Sequence, residues 1–452
     1  MPRVLLANPF SHAMAARPED IPDDVVPYYD AMADRLLWTL GPGDVGVVPG
    51  PVNHRFLSYM CDLLGFAPEQ LTMLSLTGYE SSSWYPGANP KLVADVADAV
   101  DRLGRDRDWH VTCYIRDRHV VAWERALGTA DAASAAFADN VAEMLNTKSI
   151  FRAVARAAGF PIADGRVVAG GAELVDTVTE LLATTGVVIV KQDMNSGGDG
   201  NVVIARPGRV GAVAPGARSV LTVDGPGRED VERALSGRHL ADPTAAPVGY
   251  GPAAYVVEVF HPRCSSFYVE MEVPRDGPVR LSNYGESRMT PLWSGFEIPP
   301  RTLGSEHTEL LCTGARQLAE LSRSFGYVGN LDCDAIVTED GEMIFNEFNG
   351  RVGGATHIDA LCTRILGPGY LDERILLTSN AVPSPGFDDL VRGLDAASLH
   401  LDRGRGAGVI IAQDNTVATG TVEYVVVGRT REEAEEYEAG LRRVLGGSDR
   451  PD

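Results

Sequence analysis

The chain has 452 residues, of which 44% are hydrophobic, so it is long enough to form about two to four domains with buried cores. Its net charge is -22 and it has no block of basic residues, which excludes nonspecific binding of nucleic acid because phosphate backbones would be repelled. No segment has the character of a signal peptide or a membrane-spanning helix. We therefore expect a cytoplasmic protein without a membrane partner.

The first part of the chain, residues 1–140, alternates short apolar runs with helical patterns such as Pro90–Leu103. This alternation predicts a small α/β domain with a mostly parallel sheet. No G-x-G-x-x-G motif follows the first apolar run, so the sequence does not support a dinucleotide site. The predicted strands are Val4–Ala7, Val45–Val48, Leu71–Leu76 and His110–Ile115.

An alanine-rich stretch with helical periodicity, Ala130–Gly159, leads into a second domain predicted over residues 141–385. Its strands are predicted at Val187–Gln192, Asn201–Ala205, Ala254–Phe260, Ser266–Val273, Leu331–Val337 and Glu342–Phe348. Residues 386–452 form a third, small α+β unit. It has strands at Gly408–Ala412 and Thr421–Val427 and a charged helix at Thr430–Leu445.

Two alternating strands joined by Asp340-Gly341 predict a hairpin with acids on one face. A two-residue turn pairs Asp334 with Glu347 and Asp332 with Asn349. A four-residue loop, Thr338–Gly341, would shift the register by two and keep the same side chains on one face. Carboxylates that face each other repel, so such a cluster indicates a bound cation, and hard oxygen ligands suit Mg²⁺. The alternative is an edge hairpin whose polar face meets only solvent.

Lysine is rare, and its positions are informative. Only Lys91, Lys148 and Lys191 occur in the chain. Lys148 opens a helical pattern, while Lys191 ends an apolar strand and precedes the glycine-rich loop QDMNSGGDGN. Backbone N–H groups of such a loop can bind polyphosphate next to an ammonium group, although the loop can equally be a simple hairpin tip. No P-loop motif is present.

These elements occur in an order that resembles the ATP-grasp superfamily: a helix-opening lysine, a strand-end lysine before a glycine loop, an apolar strand with one glutamate, and the acidic hairpin. The resemblance covers residues 146–365, about half of the chain. It implies an α/β and α+β protein with an ATP-grasp fold, in which two lobes clasp ATP. A Rossmann-like pre-ATP-grasp domain lies in front, and a small α+β unit follows.

The resemblance also implies roles for individual residues. Lys148 and Lys191 bind the nucleotide phosphates, and Lys191 takes part in catalysis. A flexible lid over them comprises Ser196, Gly197, Gly198 and Gly200. Glu258, with the backbone of Val259 and Phe260, forms the adenine hinge. The ligands of magnesium are Asp334, Glu347 and Asn349.

Arg351, in the turn GRVGG, is implied to stabilise an acyl phosphate. Asp332 departs from the family pattern, because some members carry arginine at that position. Arg288 is our candidate for the missing cation, with a surface salt bridge as its alternative role. His357 is a candidate proton acceptor for an amine, with a structural role as its alternative.

More narrowly, the chain looks like actinobacterial peptide ligases of the pheganomycin type, which serve antibiotic biosynthesis. That resemblance implies a ligase that uses ATP and Mg²⁺, activates an amino-acid carboxylate as an acyl phosphate and joins it to a peptide or amino-acid amine. Two alternatives stay open: other ATP-grasp chemistry, such as a dipeptide ligase or a carboxylase, and a non-catalytic ATP-binding module. Homodimer formation is left open as well.

Overall fold

The structure is a computed structural model that describes residues 1–9, 11, 26–77, 79, 89–194, 198, 200–225, 227–236 and 254–446. No helix among these residues has the length and apolar character needed to cross a bilayer.

The N-terminal domain is built on a four-stranded sheet in the order β3-β2-β1-β4, with every neighbouring pair parallel. All four strands were predicted from the apolar runs. Side-chain caps begin several of the helices; for example, Asn89 accepts a hydrogen bond from the Leu92 amide. The strands are β1 Arg3–Leu6, β2 Val45–Val48, β3 Thr72–Ser75 and β4 His110–Cys113, and the helices are α1 Val26–Ala31, α2 Asp34–Leu37, α3 His54–Leu64, α4 Pro90–Leu103 and α5 Arg118–Leu127.

The alanine-rich stretch that follows is divided into three short helices rather than one. Asn140 adopts a left-handed conformation, with φ 67°, between the first two, and this conformation is incompatible with a continuous helix. The helices are α6 Ser134–Ala138, α7 Val141–Met144 and α8 Lys148–Ala157.

The first lobe of the central domain is a five-stranded sheet in the order β5-β9-β6-β7-β8. One face of this sheet is covered by two helices, whose apolar residues Leu174, Val178 and Leu182 form a separate core with the strands. The elements are β5 Gly165–Val168, α9 Gly171–Thr185, β6 Val187–Gln192, β7 Asn201–Ala205, β8 Ser219–Thr222, α10 Arg228–Leu235 and β9 Tyr255–Val259.

The second lobe is an antiparallel sheet of eight strands in the order β14-β13-β10-β11-β12-β15-β17-β16. Its strands are β10 Cys264–Val273, β11 Arg280–Met289, β12 Trp293–Ile298, β13 Gly329–Thr338, β14 Met343–Asn349, β15 Ile375–Pro383, β16 Gly408–Asn415 and β17 Thr421–Gly428. The helices are α11 Ser305–Ser324, α12 Thr356–Leu366, α13 Tyr370–Glu373, α14 Phe387–Ala396 and α15 Arg431–Val444.

The C-terminal strands β16 and β17 continue this sheet instead of forming a sheet of their own. All eight residues of β16 are buried because the N-terminal domain covers the sheet edge. The indole Nε1–H of Trp38 donates to the Ala412 carbonyl, and Gln413 Nε2 donates to the Ala31 carbonyl. The first and last parts of the chain therefore pack together around the central domain.

Candidate active site

The β13–β14 hairpin brings four oxygen-bearing side chains to one face of the large sheet. Asp334 pairs with Glu347, and Asp332 pairs with Asn349, as the sequence predicted. Residues directly opposite each other in an antiparallel pair share a face of the sheet. The four side chains accordingly line one wall of a cleft.

The turn of this hairpin differs from the prediction. The Thr338 amide donates to the Glu342 carbonyl around a loop of residues 339–341, in which Gly341 has a φ of 81°. This loop alone would set Asn346 opposite Asp334 and turn Glu347 to the other face. A β-bulge at Asn346 shifts the ladder by one residue and returns Glu347 to the cleft.

The shifted pKa values of the acids indicate that this cluster needs additional positive charge. Burial and the neighbouring Asp332 and Glu347 carboxylates hold the pKa of Asp334 well above its usual range. Burial acts to raise the pKa of Glu347 as well, but Lys148 and Lys191 outweigh it and lower that pKa. A divalent cation beside Asp334 would relieve the repulsion between the carboxylates.

The two lysines come from different elements and pair with different acids, although both lower the pKa of Glu347. Lys148 is the first residue of α8, and its Nζ lies 3.0 Å from Glu347 Oε2. Lys191 lies near the end of β6, with its Nζ 2.7 Å from Glu258 Oε2. The start of α8 is fixed to the end of β6, because the Asp193 carboxylate accepts hydrogen bonds from the Ser149 amide and hydroxyl.

The glycine loop after β6 reaches the cleft through Gly198, which lies on its wall. Gly198 has a φ of 81°, and a Cβ atom there would lie 2.8 Å from the Gly216 carbonyl oxygen, so only glycine fits this close approach. Gly200 is buried beside β7. Ser196 and Gly197 of the predicted lid lie outside the described residues.

The predicted hinge residues Glu258, Val259 and Phe260 all line the cleft. The structure corrects one detail: the Val259 N–H donates to the Asp164 carbonyl at 2.8 Å and is not free to bind a purine. The Glu258 carboxylate accepts from both Lys191 and Arg152. The Val259 N–H is therefore not available for the predicted adenine hinge.

Arg351 also lies on the cleft wall. Its guanidinium donates to Asn349 Oδ1 at 3.2 Å and to the Val352 carbonyl at 3.0 Å. The turn is pinned from both sides, because the Gly350 amide donates to the Leu145 carbonyl and the Val352 amide donates to that of Tyr114. This arrangement directs the cation toward the acids of the hairpin.

Two further candidate residues, Arg288 and His357, lie outside the cleft. On β11, Ser287 and Met289 line the cleft, so the side chain of Arg288 between them points to the opposite face of the sheet. Arg288 pairs there with Glu438 at 2.5 Å and with Glu297 at 3.5 Å, which contradicts the proposed catalytic role and favours the salt-bridge alternative.

His357 is fully buried, and its Nε2 lies 3.3 Å from Glu423 Oε1. Burial lowers the pKa of this histidine. A side chain without solvent exposure and held by a second buried group is structural rather than an acceptor of protons from a ligand. The structural alternative for His357 is therefore the one that the geometry supports.

Sequence reasoning missed Arg35 and Trp293, which line the cleft, and Glu270, which is buried behind its wall. Glu270 is 1% exposed and lies across from Asp332; it accepts hydrogen bonds from the Ala355 amide and the Thr356 hydroxyl. Burial raises its pKa to about 7. Glu270 is one of two acids inside the run FYVEMEV, and an acid in such an apolar run is a usable signal because a buried carboxylate is costly.

The cleft between the two lobes has a volume of about 250 Å³. Its donor set of carboxylate and amide oxygens fits Mg²⁺, which takes its remaining ligands from water and substrate phosphates. Within the described part of the chain, no three His, Cys, Asp or Glu side chains converge closely enough to hold a metal by themselves.

Two family models match separate parts of the chain. Residues 33–129 match the pre-ATP-grasp domain, and residues 389–441 match the PGM1 C-terminal domain. No curated protein matches the sequence.

Solved structures match almost the whole chain at low identity. Biotin carboxylase from Campylobacter jejuni in complex with β-γ-ATP is 13% identical, with a TM-score of 0.58 over 98% of this chain and 91% of that one. The biotin carboxylase domain of Hydrogenobacter thermophilus 2-oxoglutarate carboxylase, with MgADP and bicarbonate, is 11% identical, with a TM-score of 0.56 over 98% and 89%. An N5-carboxyaminoimidazole ribonucleotide synthetase with ADP is 14% identical, with a TM-score of 0.52 over 98% and 97%. The predicted fold class is therefore confirmed: the chain has the ATP-grasp fold, with a pre-ATP-grasp domain in front and a PGM1 C-terminal domain behind.

Proposed function

We propose that the protein is an ATP-dependent ligase that activates an amino-acid carboxylate as an acyl phosphate and couples it to the amine of a peptide or amino acid. The observation that carries the proposal is the cleft itself. Two nearly buried lysines on one side face the oxygen donors Asp334, Glu347 and Asn349 on the other. Phosphoryl transfer needs this combination of cations and metal ligands.

In the first step, a carboxylate oxygen of the substrate attacks the γ-phosphorus of ATP while the bond to the β-phosphate oxygen breaks, which releases ADP. Lys148 and Lys191 bind phosphate oxygens and disperse their charge. Asp334, Glu347 and Asn349 would hold Mg²⁺, which neutralises charge on the phosphates. Arg351 lies beside Asn349 and binds the substrate carboxylate and the acyl phosphate formed from it.

In the second step, the amine nitrogen attacks the carbonyl carbon and the bond from carbon to the phosphate oxygen breaks. The products are an amide, inorganic phosphate and a proton. Enclosure by the two lobes excludes water, which would otherwise hydrolyse the acyl phosphate. The similarity of residues 389–441 to the PGM1 C-terminal domain and the ATP, ADP and magnesium ligands named for the structural neighbours support this reading.

The test is a screen of amino acids and other carboxylates against amines and short peptides, with release of ADP and phosphate as the readout. We expect ADP release that depends on both a carboxylate and an amine. Glu347→Gln and Lys191→Met should each lower turnover by at least about 100-fold, because each removes charge stabilisation from the transferring phosphoryl group.

The matched control is Glu339→Gln at the exposed tip of the same hairpin, which should leave turnover unchanged. Glu339 pairs with Arg263 at the surface. Product formation that requires bicarbonate would favour the carboxylase alternative instead. ATP binding without turnover under every combination would favour a non-catalytic module.

A further inference from the structure

The floor of the cleft beyond the metal-binding acids is aromatic. Tyr268 and Phe296 have ring centroids 4.2 Å apart, and Phe296 and Trp293 are 5.0 Å apart. The ring of Tyr268 lies across Gly285 of β11, where a Cβ atom would come within 2.6 Å of it. This absence of a side chain lets the three rings form a continuous row from β10 to β12.

One end of the aromatic row is acidic. Asp332 is 9% exposed and lies on the cleft wall, and its buried Oδ1 atom has no hydrogen-bond partner among the described residues. The neighbouring Glu270 is already engaged by Ala355 and Thr356. A buried carboxylate oxygen without a partner is costly, and a bound ligand with N–H donors would satisfy it.

The other end of the row is cationic. Arg35 is 2% exposed, and its Nε donates to Glu423 Oε2 at 2.8 Å. The guanidinium carbon lies 5.5 Å from the centre of the Trp293 ring. Both side chains line the cleft, and the buried indole Nε1–H of Trp293 has no acceptor in the part of the chain that the structure describes. Arginine is suited to binding carboxylates, and the indole offers a further donor.

The two ends of the row are separated both across and along the sheet. Asp332 lies across from Glu270, which lies across from Asn283 of β11. Trp293 lies across from Met289, six residues further along β11. A ligand that contacts both ends must therefore be an extended molecule, as a short peptide is.

We propose that this part of the cleft binds the amine acceptor as a short, extended peptide with a free C-terminal carboxylate. Its amino group lies at Asp332, beside the site of acyl-phosphate formation, and its carboxylate lies at Arg35 and Trp293. The aromatic row supports the peptide backbone between them. This inference names the acceptor class of the proposed ligase and rests on that function.

The direct test is calorimetric binding of alanine peptides to the protein in complex with MgADP. Alanine, dialanine, trialanine and tetraalanine are compared as free acids and as C-terminal amides. We expect the peptide acids to bind more tightly than alanine and about 30-fold more tightly than their amides, which corresponds to the strength of a hydrogen bond to a charged group.

Arg35→Gln combined with Glu423→Gln removes both charges of the buried pair together, so that neither charge is left uncompensated. In this double variant the acid and the amide should bind equally. Arg116→Gln with Glu124→Gln is the matched control, because it neutralises another largely buried pair in the N-terminal domain, and it should keep the preference. Asp332→Asn should weaken the acid and the amide by the same factor.

Equal binding of acid and amide by the unmodified protein, or no binding of either, would overturn the inference. So would a preference that survives in the double variant at Arg35 and Glu423. The proposed function is tested separately by ADP release. ADP release without a preference for the acid would support the proposed ligase but overturn this acceptor site. A preference for the acid without any ADP release would support the acceptor site but overturn the proposed ligase.

Discussion

The buried pair of Arg35 and Glu423 should be a large contributor to stability, and Glu423→Gln tests it. Glu423 is 1% exposed, and despite its burial Arg35 and His357 lower its pKa from an ordinary 4.5 to about 2. A shift of this size on folding corresponds to about 3 kcal/mol at neutral pH. Removing one partner of a buried pair costs a similar amount, about 3 to 5 kcal/mol, since the other charge is left uncompensated.

The pH dependence gives the prediction a sign. A carboxyl whose pKa is lower in the folded state contributes its full stability above its unfolded pKa and loses it as the pH falls toward the folded pKa. The difference between the original protein and Glu423→Gln should therefore be largest at pH 7. It should shrink between about pH 4.5 and pH 2.

The assay is urea unfolding over this pH range, with hydrogen exchange at pH 7 to locate the loss in β16 and β17. A second substitution, Arg35→Gln, should restore part of the stability because it removes the uncompensated cation. Glu180→Gln, which breaks an exposed pair with Arg166, is the control and should leave the midpoint unchanged. A loss below about 1 kcal/mol at pH 7, or a double variant no better than the single one, would refute the reasoning.

Three further outcomes are expected. Binding of MgADP should release protons and should tighten as the pH rises, because Asp334 has a raised pKa and must ionise to bind the metal; heats of binding that do not depend on the buffer would contradict this. Gly353→Ala should lower ligase turnover by about tenfold or more, since a Cβ atom there overlaps with Glu270 Oε1 and displaces the adjoining wall; unchanged turnover would argue against a role for that wall. Arg288→Gln should lower the thermal midpoint but keep turnover, because its partners Glu438 and Glu297 lie away from the cleft; loss of turnover in a folded variant would return Arg288 to the site.

The acidic hairpin was the most predictable part of the site, because alternation and an Asp-Gly turn are local signals. The facing pairs of Asp334 with Glu347 and Asp332 with Asn349 were predicted correctly. The agreement arises partly by compensation, because the two-residue turn is wrong and the bulge at Asn346 corrects the register. Bulges have no dependable signal in a single sequence.

What the sequence could not reveal depends on contacts between distant segments. Arg35 and Glu423 are separated by 388 positions, and neither stands in a recognisable motif. The Val259 amide is used by Asp164, a pairing of two strand ends that local patterns do not specify. The face of β11 on which Arg288 lies was likewise decided by the register of the sheet and not by the residue type.

The closure of β16 by the N-terminal helices has a consequence for synthesis on the ribosome. Trp38 donates to the carbonyl of a residue 374 positions later. At roughly 5 to 20 residues per second, the ribosome reaches that residue about 20 to 75 s after Trp38, and the apolar side of α2 is uncovered until then. During that interval the nascent chain exposes surface that its own last strands will cover. Truncation before Gly408 should thus yield a polypeptide that depends on chaperones, even though the cleft residues have all been translated.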